Sequence, residues 1–165
     1  MNLKKILNQK LDKATRAAVL GIGSYMRADD AAGVLIAENI QKALKKFKSA
    51  KLKTKVFIGE TAPENLTGEI KKFKPSHFIV LDSSDTSQAP GTITIIDPSD
   101  AGGISFSTHQ MPIKILIDYI QNYVKCSALI IGIQPKSVEY GKPVSKPVLT
   151  SIKQVSEALS EILSK

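Results

Sequence analysis

LGIGSYMRADDAAGV, residues 20–34, decides how the chain is read. An apolar run ends in Gly-x-Gly, and a little further on Asp29 and Asp30 stand side by side at the start of a helical pattern. An unbroken apolar run closing on glycine predicts a buried strand of a parallel sheet. A helix start favours one acid as a cap and electrostatically welcomes a second. The pair therefore has two readings: a helix entrance only, or an entrance in which one carboxylate is a working ligand.

Outward from this stretch, strands and helices alternate. The segment 16–23 reads as the first strand and 29–47 as a helix with acids at its start and lysines at its end, matched to the macrodipole. Strands follow at 53–60, 77–84, 92–98 and 128–135. Helices are expected at 62–73, with Pro63 in its first turn, and at 145–165; 105–124 reads as a loop and then a helix entered near Pro112. Leu3, Ile6, Leu7 and Leu11 sit at helical spacing and predict a short amphipathic helix over 3–14. The pattern predicts an α/β fold with a mostly parallel five-stranded sheet covered on both faces. Only a Pro90-Gly91 turn links the third strand to the fourth, which predicts one antiparallel or edge strand.

The 165 residues suit a single domain over 1–165 that buries a core without staples, and 42% apolar residues is the ordinary globular level. The lone cysteine, Cys126, lies in an apolar run, where it packs rather than reacts; it points to a reducing compartment, the cytoplasm. No segment reaches the roughly 20 apolar residues of a membrane span, and the N-terminus lacks a signal-peptide core. A net charge of +8 would suit an acidic partner, but the lysines are scattered along helices and aromatics make up only 5% of the chain. A base-stacking platform lacks material, so no nucleic-acid partner is expected.

Parallel sheets bind ligands outside the carboxyl ends of their strands. On that rim the pattern places Asp29 and Asp30 after the first strand, Asp82 and Asp85 at the end of the third, His109 in the loop before a helix, and Gln134-Pro135 after the last strand. Imidazole plus carboxylates suits a transition metal with open positions, and the same acids could instead polarise a water directly. His77 belongs to the opposite rim. A nucleotide reading fails because Met26 stands where a dinucleotide fingerprint needs its third glycine and no Gly-Lys-Ser/Thr follows.

With GIGSYMRADDAAG, ETAPEN (60–65), FIVLDSSD (78–85), PGTITIID (90–97), STHQMP (107–112) and IIGIQP (130–135) in this order, the chain resembles the nickel–iron hydrogenase maturation endopeptidases. It is most similar to the branch acting on formate-hydrogenlyase-type and related large subunits. The resemblance implies an α/β/α sandwich and a protease that removes the C-terminal extension of a hydrogenase large-subunit precursor after nickel insertion. The precursor would be the partner, its nickel the recognition signal, and this chain a monomer holding nickel only weakly by itself. The family's three metal-contacting positions correspond to Asp30, Asp82 and His109, with Asp30 and Asp82 also the candidate catalytic acids. Two departures bear on the first loop: Ser24 replaces a common asparagine, and Ala31 replaces a common glycine. With no serine motif, water is the expected attacker, activated by metal or by an aspartate. A non-catalytic metal-binding or chaperone module on the same fold is the alternative.

Overall fold

The computed structural model describes residues 2–46, 51–106 and 111–165. Among the described residues six strands are present: β1 (Arg16–Ile22), β2 (Lys53–Glu60), β3 (His77–Asp85), β4 (Ile93–Ile96), β5 (Ser105–Phe106) and β6 (Ser127–Ile133). Five of them form one path in the order β2-β1-β3-β6-β4. β2, β1, β3 and β6 are mutually parallel. β4 runs antiparallel against β6, the orientation its short connection to β3 demands. β5, expected as loop, pairs antiparallel with the last two residues of β3, Ser84 facing Phe106 and Asp85 facing Ser105.

The helices are α1 (Leu3–Leu11), α2 (Ala32–Leu44), α3 (Thr67–Phe73), α4 (Ile113–Tyr123) and α5 (Lys146–Leu163). Side chains of a strand alternate between faces, and β3 shows what each face meets. Ile79 and Leu81 join the cluster that holds Leu3, Leu7 and Leu11 of α1, Ile36 and Ile40 of α2, and Val155 and Leu159 of α5. Phe78 and Val80 join the opposite cluster, with Ile70 of α3 and Ile113, Leu116, Ile117 and Ile120 of α4. The sheet is thus covered on both faces, and each fully buried branched side chain contributes about 1.5–3 kcal/mol.

Two expected helices begin differently. The first turn of the 29–47 segment is a separate 3-10 turn, Ala28–Ala31, and the α-helix starts only at Ala32. Neither aspartate caps it, because no side-chain cap bond is made at Arg27 or Ala31. Likewise Pro63–Leu66 is a 3-10 turn ahead of α3.

Gly33, in the first turn of α2, explains how closely that helix meets the sheet. A Cβ there would lie 2.1 Å from the carbonyl oxygen of Leu81 and 2.3 Å from that of Ile22. The turn therefore rests directly on the carboxyl ends of β1 and β3, as only glycine allows.

Candidate active site

The sheet order fixes where a site can form. From β1 the chain moves to β2 on one side and then returns to β3 on the other. The crevice beyond the carboxyl ends of β1 and β3 is the topological switch point, where open α/β sheets bind ligands. The 3-10 turn carrying Asp29 and Asp30 follows β1, and Asp82, Ser83 and Asp85 end β3.

Asp30 is 1% exposed and is one of the residues around a cleft of about 360 Å³. Its Oδ2 accepts from the backbone N–H of Ser24 at 2.8 Å, and its Oδ1 accepts from the Ser83 hydroxyl at 3.3 Å. Each oxygen keeps a further lone pair. Gly23 makes the Ser24 contact available, since its φ is +132° and a Cβ would strike the Asp30 carbonyl oxygen at 1.8 Å. Because the backbone of Ser24 does the holding, a serine serves where the family commonly has asparagine. Ala31 has φ −68°, a value any residue adopts, so its glycine is not needed either.

Asp29 points elsewhere. Oδ2 accepts from the backbone N–H groups of Lys136 (2.7 Å) and Ser137 (3.2 Å) and from the Ser145 hydroxyl (2.9 Å), while Oδ1 accepts from Ser145 N–H (2.6 Å). Its own N–H donates to the Ser137 carbonyl at 3.1 Å. The carboxylate is therefore the clasp of the 136–145 loop. Ala28, immediately before it, has φ +46°, a left-handed conformation that costs a non-glycine residue some strain.

Asp82 is fully buried, and its Oδ1 accepts from Ser83 N–H at 2.8 Å. The pleat of β3 sends it to the Phe78 and Val80 face, towards α4, whereas Ser83 shares the α2 face with Leu81. Ser83 thus touches both acids, Asp82 through its backbone and Asp30 through its hydroxyl. Asp82 lies one residue before Ser83, which borders the cleft. His109 lies outside the described residues, as does most of the STHQMP motif. Among the described residues no group of three or more His, Cys, Asp or Glu side chains could hold a metal ion. His77 sits at the amino end of β3, where burial lowers its pKa.

The rest of the cleft wall comes from Asp85, Ser105, Phe106, Pro135 and Val138. Gln134 organises its rim. The amide oxygen of Gln134 accepts from Thr86 N–H at 2.8 Å, and its nitrogen donates to Asp85 Oδ1 at 3.2 Å. The N–H of Ser87, with this Gln134 bond, holds the Asp85 carboxyl below the usual carboxylate range. A groove of about 430 Å³ between α2 and α5, lined by Asn39, Leu149, Ile152 and Ser156, brings no two acids together. Ser83, Ser145 and Val138 carry no local signal in the sequence; only the switch-point topology and the long-range clasp bring them to the site.

The family model described as HycI, hydrogenase maturation protease, matches residues 34–164. The hydrogenase 3 maturation protease of Escherichia coli K12 is 33% identical over 142 residues, 86% of each chain. The crystal structure of the [NiFe] hydrogenase maturation protease HycI from Thermococcus kodakarensis KOD1 is similar with a TM-score of 0.84 at 29% identity, over 97% of this chain and 99% of that one. The solution structure of the endopeptidase HycI from E. coli has a TM-score of 0.75 at 31% identity, over 89% and 90%. With the switch-point cleft and the match over most of its length, this chain belongs to the hydrogenase maturation protease family.

Proposed function

We propose that this chain removes the C-terminal extension of a nickel–iron hydrogenase large-subunit precursor after nickel insertion, with Asp30 as the group that meets the substrate. The endopeptidase activity follows from the family, which sets aside the non-catalytic module. The observation that carries the rest is Asp30: a carboxylate held by two hydrogen bonds at the switch point, in a residue that borders the cleft.

Peptide hydrolysis needs a water activated against the scissile carbonyl and a proton delivered to the leaving amine. In this reading Asp30 takes the proton from that water or binds the precursor's nickel, and Asp82 is the second acid, one residue before Ser83. Oxygen donors of this kind, joined by the His109 imidazole, suit nickel at open coordination positions. They make an incomplete shell for a free ion, so the nickel arrives with the precursor and serves as its recognition signal. The working unit in this reading is a monomer. No described helix is long and apolar enough to cross a membrane, and the lone cysteine favours the cytoplasm as the place of action.

The test compares precursor loaded with nickel and precursor free of it, each mixed with the metal-free chain. Loss of the extension from the loaded precursor alone is the expected result. Equal cleavage of both removes nickel as the signal and leaves a water-and-aspartate protease.

A further inference from the structure

Two loops meet beside the cleft and form a ridge. The Met26 carbonyl accepts from Gly141 N–H at 2.8 Å, and Arg27 Nε donates to the Val138 carbonyl at 3.2 Å. The Tyr140 hydroxyl rests 3.5 Å from the Met26 sulfur. Underneath, Asp29 fixes the same 136–145 loop through four hydrogen bonds. A loop held this firmly is an ordered surface, and where it meets the turn after β1 two large side chains face outward: Met26 of that turn, 56% exposed, and Tyr140 of the loop, 71%. Val138 belongs both to this ridge and to the wall of the cleft that holds Asp30. Lys136, Glu139 and Lys142 stand exposed along the same loop, two cations to one acid.

We propose that the ridge of Met26, Val138 and Tyr140 is the docking surface for the large-subunit precursor beside its cleavage site, where it meets an apolar patch fringed by carboxylates. The inference rests on the functional reading above. Three features of the chain select this occupant. A protease that cuts a folded precursor needs contact beyond the bond it cleaves. The ridge is continuous with the cleft through Val138. The loop's exposed charges, two lysines against Glu139, leave it net basic and suited to an acidic rim on the partner, and preorganisation by Asp29 spares the ordering cost of binding.

The experiment is steady-state cleavage of nickel-loaded precursor by the full chain and by Met26→Ser, Tyr140→Ser and the double variant. Tyr123→Ser, an exposed tyrosine on α4 away from the cleft, serves as control. Loss of interface anchors predicts a KM raised about tenfold or more in the double variant, with kcat within about twofold. Tyr123→Ser keeps the KM of the unaltered chain. Both ridge side chains are exposed, so the single variants fold, which unchanged thermal unfolding verifies. A KM unchanged in the double variant overturns the ridge, as does a fall in kcat alone. A shift in self-association on sedimentation, without a change in KM, overturns it in favour of a contact between copies of this chain. No cleavage by the unaltered chain defeats the functional reading itself, and the docking surface with it.

Discussion

Ser145 closes on Asp29 with both of its donors, its N–H at 2.6 Å and its hydroxyl at 2.9 Å. The clasp joins the turn after β1 to the start of α5 and leaves Asp30, the next residue, free to face the cleft. The two adjacent acids therefore do different work. Asp29 is a structural fastening, and Asp30 is the acid proposed above to meet the substrate.

Asp29→Asn follows directly. An amide lacks the charge and offers one acceptor oxygen to donors that four hydrogen bonds now satisfy. The loss is about 2–4 kcal/mol for bonds to a buried charged group. In a chain of this size each kcal/mol lowers the melting temperature by about 2–4 °C. Thermal unfolding should show that drop, while cleavage per folded molecule stays within a few-fold of the unaltered chain. Loss of all activity at full stability would reverse the assignment of the pair.

Gly33→Ala tests how α2 meets the sheet. The added methyl faces two backbone carbonyl oxygens of central strands, those of Leu81 and Ile22, and neither can yield without moving a strand. Overpacking costs about 1–3 kcal/mol, and a clash with two backbone oxygens belongs at the upper end of that range. Urea unfolding should show the midpoint falling accordingly; an unchanged midpoint would mean that the helix sits further from β1 and β3.

His77 should make the fold acid-sensitive. Burial lowers its pKa below the ordinary 6.5, so the folded chain prefers the neutral ring. The unfolded chain then binds more protons, and stability rises with pH across this window. The contribution is present above pH 6.5 and is lost as pH falls from there through the lowered folded value. Comparing urea midpoints at neutral and mildly acidic pH, His77→Gln should flatten this part of the profile. An equally steep profile would remove His77 as the cause.

Cys126 is half-buried, and burial pushes its thiol pKa up. The thiolate fraction at neutral pH is therefore small, and the thiolate is the reactive form. Thiol reagents should modify the folded chain slowly compared with the unfolded one. Cys126→Ala should leave cleavage intact, since an essential thiol would contradict water as the attacker.

Much of this was legible in the residues because β1, β3 and β6 are unbroken apolar runs closing near polar residues, and a parallel sheet has one rim for such endings. Asp30 and Asp82 reach that rim for this reason alone. The division of labour between Asp29 and Asp30 shows in the structure because the partners of Asp29, at Lys136, Ser137 and Ser145, are more than a hundred residues away along the chain. A capping role was the local reading, and local pattern carries no trace of such a clasp. β5 escaped notice because two residues form too short a run for any period to register. Ser83 escaped because a serine at a strand end is ordinary, and its double contact arises only where β3 meets the turn after β1.

The most direct test of the account is the mass of a nickel-loaded large-subunit precursor after incubation with the unaltered chain and with Asp30→Asn. The account predicts loss of the C-terminal extension with the unaltered chain, and a rate at least about a hundredfold lower with Asp30→Asn, as expected when a general base or a charge-stabilising group is removed. The melting temperature of the variant should stay within a few degrees. Full cleavage by stable Asp30→Asn would contradict the assignment of this carboxylate to the centre of the reaction.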